Sequence, residues 1–271
     1  MHVLIMADME GVSGIVVWEQ TTGGDPMYEE GRRLYTEEIN AAVRGAKRAG
    51  ATEIVAVDCH GAGGGWTFNS FVPELLDPDC DWVAHHPWSR YTELLEQGCD
   101  ACLCVGMHAR NNTPDGVLCH TISTVKWHNL WFNDDLVGEL GINAALCGHY
   151  DCPVVLVTGD EAICREARGL LGEEITTVAV KRGLTRYSAR QIPPIRARAM
   201  IEEGAFQSLQ NIQPVKPYTP AKPTTITVEL TSADKAADFI GRHGVVIDES
   251  SLKVVSKGEN WMQAWDQVWH W

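Results

Sequence analysis

Short apolar runs alternate with segments of helical periodicity along roughly the first two hundred residues of this chain. The runs at 2–8, 53–58, 101–106 and 153–157 are rich in Val, Ile, Leu and Ala, as in strands buried on both faces. Between the first two, apolar residues recur at helical spacing over 27–49. The alternation predicts an α/β fold in which helices cover both faces of a mostly parallel sheet.

A proline-rich stretch then interrupts this pattern. Four prolines fall within 214–223, and such a segment is typical of a stiff connector between folded units. We therefore predict a large catalytic α/β domain over 1–213 and a small C-terminal α+β subdomain over 224–271. The pattern of the last segment predicts the order strand, helix, strand, strand, helix.

The last predicted helix carries three tryptophans at spacings of four residues, Trp261, Trp265 and Trp269. This spacing places them on one face, as in an amphipathic helix that packs against a core. Because tryptophan also provides large contact surfaces, two other hypotheses remain open. The stripe could form an oligomer interface or one wall of a substrate site.

The charge balance is acidic, with 22 Lys and Arg against 36 Asp and Glu and a formal net charge of −14. Such a balance argues against nucleic acid or an anionic membrane as a partner. The N-terminus runs directly into the first predicted strand, and no apolar run approaches the roughly 18 residues of a membrane helix. We therefore expect a cytoplasmic location.

Nine cysteines are spread along the chain without a paired framework. Cys102 and Cys104 lie in an apolar run, where cysteine behaves as a small apolar residue, so we expect both to be buried in a strand. Reduced thiols also fit the cytosol.

Two acidic residues separated by one position, Asp8 and Glu10, come at the end of the first apolar run. Side chains alternate along a strand, so the two carboxylates are expected on the same face. Burying them side by side is unfavourable unless a cation lies between them. A divalent metal ion is the cation that this pattern favours.

Two histidines occupy equivalent places after the next two strands. His60 follows the run that ends at Asp58, and His108 follows the third apolar run. Because ligands bind beyond the carboxyl ends of the strands in open α/β sheets, both histidines are expected to meet Asp8 and Glu10 at one edge. One such histidine alone is more often structural, whereas this convergence predicts a metal site.

Two further residues extend the predicted site: His120, within a run at 117–125 that is predicted to be extended, and Glu139, near the start of a predicted helix. Together with Asp8 and Glu10, Glu139 brings three negative charges, which two divalent cations and one bridging hydroxide would balance. That hydroxide is the nucleophile that such sites generate at neutral pH. Mixed imidazole and carboxylate ligands favour zinc, while manganese, iron and cobalt stay open.

Five segments follow one another in a recognisable order and spacing: Asp8–Gly14, Asp58–His60, Gly106–Arg110, the segment around His120, and Val137–Asn143. As a series they resemble the D-aminopeptidase family, the M55 zinc peptidases that include the dipeptide-transport-associated type. The resemblance implies a di-zinc amino-terminal hydrolase that cleaves amide bonds of short peptides or aminoacyl amides with D-residues. It also implies a homo-oligomer, assembled as a ring of ten subunits.

The same resemblance implies a role for each of six residues. The roles are: Asp8 bridging both metals, Glu10 and His60 completing the shell of one metal, His108 and Glu139 completing that of the other, and His120 as the catalytic residue outside the metal shell. A histidine in that place would carry a proton or stabilise the attacked carbonyl.

The chain departs from the family pattern at two positions, where Met6 and Cys59 replace the usual serines. Met6 shares the strand face of Asp8, so a hydrogen bond that supports the metal site is expected to be missing. Strand alternation predicts that Cys59 faces away from His60 and does not bind metal. Metal affinity and substrate preference are therefore left open.

Two alternatives come from other classes of function. Two metals could hold a phosphate ester instead of an amide, although only Arg110 and Lys126 accompany the motifs as cations. The glycine-rich segments at 10–14 and 61–65 could also cradle a nucleotide without chemistry. Neither segment matches a phosphate-binding glycine motif, and the acidic residues beside the first would repel phosphate.

Overall fold

The computed structural model describes residues 1–86, 90–248 and 252–269. The strands are β1 His2–Ala7, β2 Glu53–Asp58, β3 Asp81–Val83, β4 Ala101–Met107, β5 Trp127–Phe132, β6 Asp135–Val137, β7 Val154–Asp160, β8 Thr176–Thr185, β9 Ser188–Gln191, β10 Thr224–Leu230, β11 Val245–Asp248 and β12 Lys253–Gly258. The helices are α1 Tyr28–Arg48, α2 Glu93–Gly98, α3 Glu139–His149, α4 Glu161–Leu171, α5 Pro194–Gln210, α6 Ala233–Ala237 and α7 Trp261–Val268.

Within the described ranges, no helix is both long and apolar enough to cross a membrane.

The larger sheet has seven strands in the order β3-β2-β1-β4-β7-β8-β9. Neighbouring strands pair in parallel except β8 and β9, which form an antiparallel pair at one edge. β4 and β7 are buried along their whole lengths, which explains why their sequences are continuously apolar. The prediction of an α/β fold with a mostly parallel sheet is confirmed.

Helices cover both faces of this sheet, as the sequence predicts. On one face, α1 and α5 pack on each other and bury side chains such as Val3 and Ile5 of β1. On the other face, α3, α4 and α7 contribute apolar side chains to a core that contains Leu4. β1 is therefore buried from both sides by alternate side chains.

The second sheet is antiparallel, with five strands in the order β11-β12-β10-β5-β6. The elements β10, α6, β11, β12 and α7 follow the predicted order of the C-terminal segment. β10 also pairs with β5, with Ile226 opposite Phe132, so this segment shares a sheet with strands that precede the connector. The division of the chain into domains at 214–223 stays a prediction.

All nine cysteines carry free thiols. Cys102 and Cys104 of β4 are fully buried, as predicted for small apolar side chains in a core strand. Cys99, Cys147 and Cys152 belong to the same apolar core.

The loops after β1 and β4 touch through backbone atoms. The Gly11 amide donates to the carbonyl oxygen of Gly106 at 2.8 Å, and the Asp8 amide donates to that of Val105 at 2.8 Å. Gly106 has a φ of 73°, and a Cβ there would lie 2.1 Å from the carbonyl oxygen of Asp8. Only glycine fits this contact, which fixes the distance between the two strand ends.

Gly106→Ala is expected to lower the free energy of unfolding by at least about 2 kcal/mol, because a left-handed backbone and a backbone clash both oppose alanine. Gly169→Ala is the matched control, since Gly169 lies in α4 with open space where its Cβ would be. The control should leave stability unchanged or raise it. Denaturant unfolding measures both variants, and a Gly106→Ala protein as stable as the wild type would contradict the tight contact.

Candidate metal centre

Three strands of the larger sheet bring polar side chains to one crevice. β2 lies on one side of β1 and β4 on the other, so the strand order reverses between β1 and β4. Such a reversal opens a crevice at the carboxyl ends of the strands. Asp8 follows β1, His60 follows β2 and His108 follows β4, and each is at most 5% exposed.

Asp8 and Glu10 face the same crevice, as predicted, but the predicted reason is wrong. β1 ends at Ala7, so the two residues do not share a strand face. They lie in the loop that follows, where the Val12 amide donates to the carbonyl oxygen of Met9 at 3.2 Å. This loop brings both carboxylates to the same ring nitrogen of His60.

His60 is held by hydrogen bonds that select one ring nitrogen for the crevice. Its Nε2 lies 2.8 Å from the carbonyl oxygen of Thr21, so Nε2 carries the proton and donates. The other nitrogen, Nδ1, lies 3.3 Å from Asp8 Oδ1 and 3.1 Å from Glu10 Oε2. Asp58 accepts from the His60 amide at 3.0 Å and fixes the backbone behind the ring.

His108 has the opposite arrangement of its two nitrogens. Its Nδ1 donates to the carbonyl oxygen of Ala109 at 2.9 Å. Its Nε2 lies 3.3 Å from Asp8 Oδ2 and 3.5 Å from Glu139 Oε1. The two carboxylate oxygens of Asp8 therefore face different histidines.

Glu139 begins α3 and closes the crevice together with His120. Glu139 Oε1 accepts from the Ile122 amide at 2.7 Å and lies 3.6 Å from His120 Nε2. The His120 ring stacks on that of His108 with centroids 4.1 Å apart. His120 Nδ1 lies 3.0 Å from the carbonyl oxygen of Leu118, so Nδ1 donates and Nε2 faces the crevice.

The run at 117–125, predicted to be extended, consists of turns instead. Leu118 and Ile122 adopt left-handed backbones, with φ of 51° and 60°. The Leu118 amide donates to the carbonyl oxygen of Arg186 at 2.8 Å, which anchors the loop to the β8–β9 connection. These contacts, which local sequence does not reveal, place His120 over the crevice.

The side chains in the crevice fit a pair of metal ions. Asp8 Oδ2, Glu10 Oε2 and His108 Nε2 are buried without a hydrogen-bond partner, a costly condition that cations would relieve. Ligand atoms within 4.8 Å of one another come from two sets that share one histidine: Asp8, Glu10 and His108, and His108, His120 and Glu139. Geometry alone thus also allows His120 as a ligand.

Burial and mutual attraction set the protonation of these groups. Burial alone would raise the pKa of Asp8, yet His108 and His60 lower it below its usual range. Burial opposes protonation of His60 and His108, but the carboxylates around them raise the pKa of both rings well above the usual value. The pKa of His120 is lowered by its burial and then by the nearby His108. Protons on His60 and His108 thus balance the negative charge of the carboxylates. Bound metal cations could balance that charge in their place.

A buried lysine from the distant strand β8 supports the turn that carries Glu10. Lys181 is 1% exposed, and its Nζ donates to the carbonyl oxygens of Glu10, Val12 and Ile15 at 2.6, 2.8 and 2.7 Å. Three donors on one ammonium group thus match three carbonyl groups of one loop. Sequence reasoning missed this residue because its separation from the turn is about 170 positions.

Glu38 of α1 supports the same loop from the other side. Its Oε1 accepts from the Ser13 amide at 2.9 Å, while its Oε2 is buried without a hydrogen-bond partner. Burial raises the pKa of Glu38 to about 7, although the Ser13 amide and the charge of Lys181 act in the opposite direction.

A cavity of about 460 Å³ opens from these ligand atoms. The described residues that line it include the site residues Asp8, Glu10, His60, His120 and Glu139, followed by a mostly apolar set that includes Met6, Phe68, Met107, Ile142, Leu146, Trp261, Trp265 and Trp269. Cys59 also lines the cavity and is half-buried. That it faces away from His60 and does not bind metal stays a prediction. Met6 lies on the cavity side of β1, as predicted.

Comparison with known proteins identifies the family. The model of peptidase family M55, described as D-aminopeptidase, matches residues 1–269. The chain belongs to this family. A D-aminopeptidase of Bacillus subtilis (strain 168) is 34% identical over 270 residues, which cover 99% of this chain and 95% of that protein.

A solved structure supports the M55 assignment at the level of the fold. It is that of the Zn-dependent D-aminopeptidase DppA from Bacillus subtilis, described as a self-compartmentalizing protease. Its TM-score with this chain is 0.91 at 31% identity, covering 99% of this chain and 95% of that one. The family resemblance inferred from the sequence motifs is therefore confirmed.

Glu38→Gln is expected to remove a pH-dependent loss of stability. The pKa of Glu38 is raised from 4.5 to about 7. The protonated Glu38 side chain therefore contributes to the free energy of unfolding fully below pH 4.5, and this contribution is lost as the pH rises through 7. At pH 8 the variant should be more stable relative to wild type than at pH 4.5, by about 1–3 kcal/mol. Denaturant unfolding across this range measures the difference, and parallel stability curves would contradict the prediction.

Proposed function

We propose that this protein is a zinc-dependent D-aminopeptidase that removes the first residue from short peptides or aminoacyl amides. The observation that carries the proposal is the crevice itself, in which carboxylate and imidazole ligand atoms face one another and three of them lack any hydrogen-bond partner. Membership of family M55 supports the reaction and the D-residue, and the Zn-dependent relative supports the metal. Two zinc ions per chain are part of the proposal.

Five side chains would hold the two metals. Glu10 and His60 would complete the shell of one ion, because Nδ1 of His60 already faces Glu10. His108 and Glu139 would complete the shell of the other. Asp8 suits the bridging place, since its two oxygens face different histidines. When bound, the metals polarise the scissile carbonyl and lower the pKa of the attacking water.

His120 is the residue that we assign to proton transfer. Its Nδ1 proton is engaged by the carbonyl oxygen of Leu118, which leaves Nε2 free to accept a proton at the crevice and return it to the leaving amine. Stacking on His108 and edge contact with Trp18 hold the ring in place. A fixed ring is what efficient proton transfer requires.

The phosphate-ester and nucleotide alternatives find no support in the cavity. Among the described residues that line it, none is Lys or Arg, whereas Asp8, Glu10 and Glu139 are carboxylates. A nucleotide bound without metal would therefore meet negative charge there, and a phosphate ester held by two metals would lack the arginine or lysine groups that usually assist them.

Assembly and location are also proposed. We propose a homo-oligomer, supported by the relative that is described as a self-compartmentalizing protease. A ring of ten subunits stays a prediction from the family resemblance. The nine free thiols support a reducing compartment such as the cytoplasm.

Metal analysis tests the ligand assignment. Wild-type protein purified without added metal is expected to hold about two zinc equivalents per chain. Asp8→Ala should lose most of both zinc equivalents, because the Asp8 oxygens face both His60 and His108. His120→Ala is the matched control and should keep both zinc equivalents. Elemental analysis measures the content. Full zinc in Asp8→Ala would overturn the bridging role, and loss of one equivalent in His120→Ala would make His120 a ligand.

Kinetics test the role of His120. His120→Ala is expected to lower kcat for D-alaninamide by about 10²–10⁴-fold while KM changes little, because proton transfer and not substrate binding is removed. Steady-state assays with zinc-loaded protein measure both constants. The proposed function would fail if zinc-loaded wild type cleaved no D- or L-aminoacyl amide or short peptide, and the role of His120 would fail if the variant kept full activity.

A further inference from the structure

Asp160, the last residue of β7, is a buried carboxylate that holds two segments of the chain at once. It is fully buried, and its Oδ1 accepts from the Ile163 amide at 2.8 Å, which caps the first turn of α4. Its Oδ2 accepts from the Val117 amide at 2.7 Å. The helix cap uses one carboxylate oxygen, so the other oxygen is available to a loop that lies 43 positions earlier in the chain.

Val117 belongs to the loop that carries His120. The next residue, Leu118, provides the carbonyl oxygen that lies 3.0 Å from His120 Nδ1. The hydrogen bond to Asp160 therefore fixes the residue directly before the one that orients the His120 ring. A displacement of Val117 would move the Leu118 carbonyl group, and with it the direction in which His120 Nε2 points.

The backbone of this loop needs contacts from other elements to keep its shape. Leu118 and Ile122 adopt left-handed conformations, with φ of 51° and 60°. Such conformations are unfavourable for residues other than glycine and persist where surrounding contacts impose them. Asp160 provides such a contact at the start of the loop, and Glu139 provides one at its end through the Ile122 amide.

A cation on the neighbouring strand accompanies the buried carboxylate. β7 and β8 pair so that Asp160 lies opposite Lys181. Buried charges are retained in proteins where an opposite charge or hydrogen bonds compensate them. Lys181 donates to the loop that carries Glu10, whereas Asp160 accepts from the loop that carries His120. Facing positions of two adjacent strands thus support the two loops.

We propose that Asp160 is a positioning residue for His120, which holds the loop 117–122 so that the His120 ring keeps the orientation that proton transfer requires. The inference rests on the proposed aminopeptidase function and on the role of His120 in it. Contacts that fix a reacting side chain act on the rate of the chemical step more than on substrate binding.

Removal of the carboxylate tests this role. Asp160→Ala is expected to lower kcat for D-alaninamide at least tenfold and to leave KM within about threefold, because the group that transfers the proton is displaced. Steady-state assays with zinc-loaded protein measure both constants, and elemental analysis should still find the zinc content of the wild type. Wild-type kcat in the variant, or a loss of zinc that matches the loss of activity, would overturn the inference.

Asn40→Ala is the matched control for a loss of stability. Asn40 is 5% exposed in α1 and does not line the cavity. Its side chain also makes two hydrogen bonds with backbone groups, donating to the Leu75 carbonyl oxygen at 2.6 Å and accepting from the Asp77 amide at 2.8 Å. The control should lower the midpoint of denaturant unfolding and leave kcat unchanged. An equal loss of kcat in Asn40→Ala would assign the effect to general destabilisation and overturn the inference.

Asp160→Ser separates the two hydrogen bonds of Asp160 and covers the case in which Asp160→Ala does not fold. Serine is also a good N-cap, so it can keep the bond to the Ile163 amide, but its single oxygen is not available to the Val117 amide as well. The same loss of kcat is expected. Full kcat in Asp160→Ser would show that only the helix cap matters. If zinc-loaded wild type cleaves no aminoacyl amide or short peptide, the proposed function fails and the inference fails with it.

Discussion

Mutual repulsion among three carboxylates, two of them buried and one half-buried, is the constraint around which this structure is organised. Asp8, Glu10 and Glu139 reach one crevice from a strand end and a helix start, where water cannot screen their charges well. The chain supplies His60 and His108 between them and no lysine or arginine among the described cavity residues. Protons on imidazole can balance such a set, but metal cations do so more completely and leave both rings neutral.

Holding these charges together requires support from distant parts of the chain. Lys181 satisfies three carbonyl groups of the loop after Glu10, and Glu38 accepts from an amide of the same loop. Gly106 lets the loop after β4 approach the loop after β1 within backbone contact. These contacts are made to backbone atoms, so they fix the position of the loop and not only of one side chain. A loop fixed in this way keeps ligands in place when the metals are absent.

The strand ends were predictable from the sequence because parallel strands must meet at one edge, which brings Asp8, His60 and His108 together whatever the details of each turn. The relative position of Asp8 and Glu10 could not be predicted, because side chains alternate only within a strand and β1 ends at Ala7. The role of Lys181 could not be predicted for another reason. Its partners are backbone carbonyl groups about 170 positions away, and its burial depends on β8 lying where the whole sheet places it.

The helix α3 carries both a proposed metal ligand and part of the cavity wall. Its first residue, Glu139, is held by the Ile122 amide, and the same helix face continues along the cavity as Ile142 and Leu146. Because a helix moves as a nearly rigid body, tilting α3 would displace the Glu139 carboxylate together with the cavity wall. Replacing a side chain leaves the helix axis in place and changes only the volume beside it.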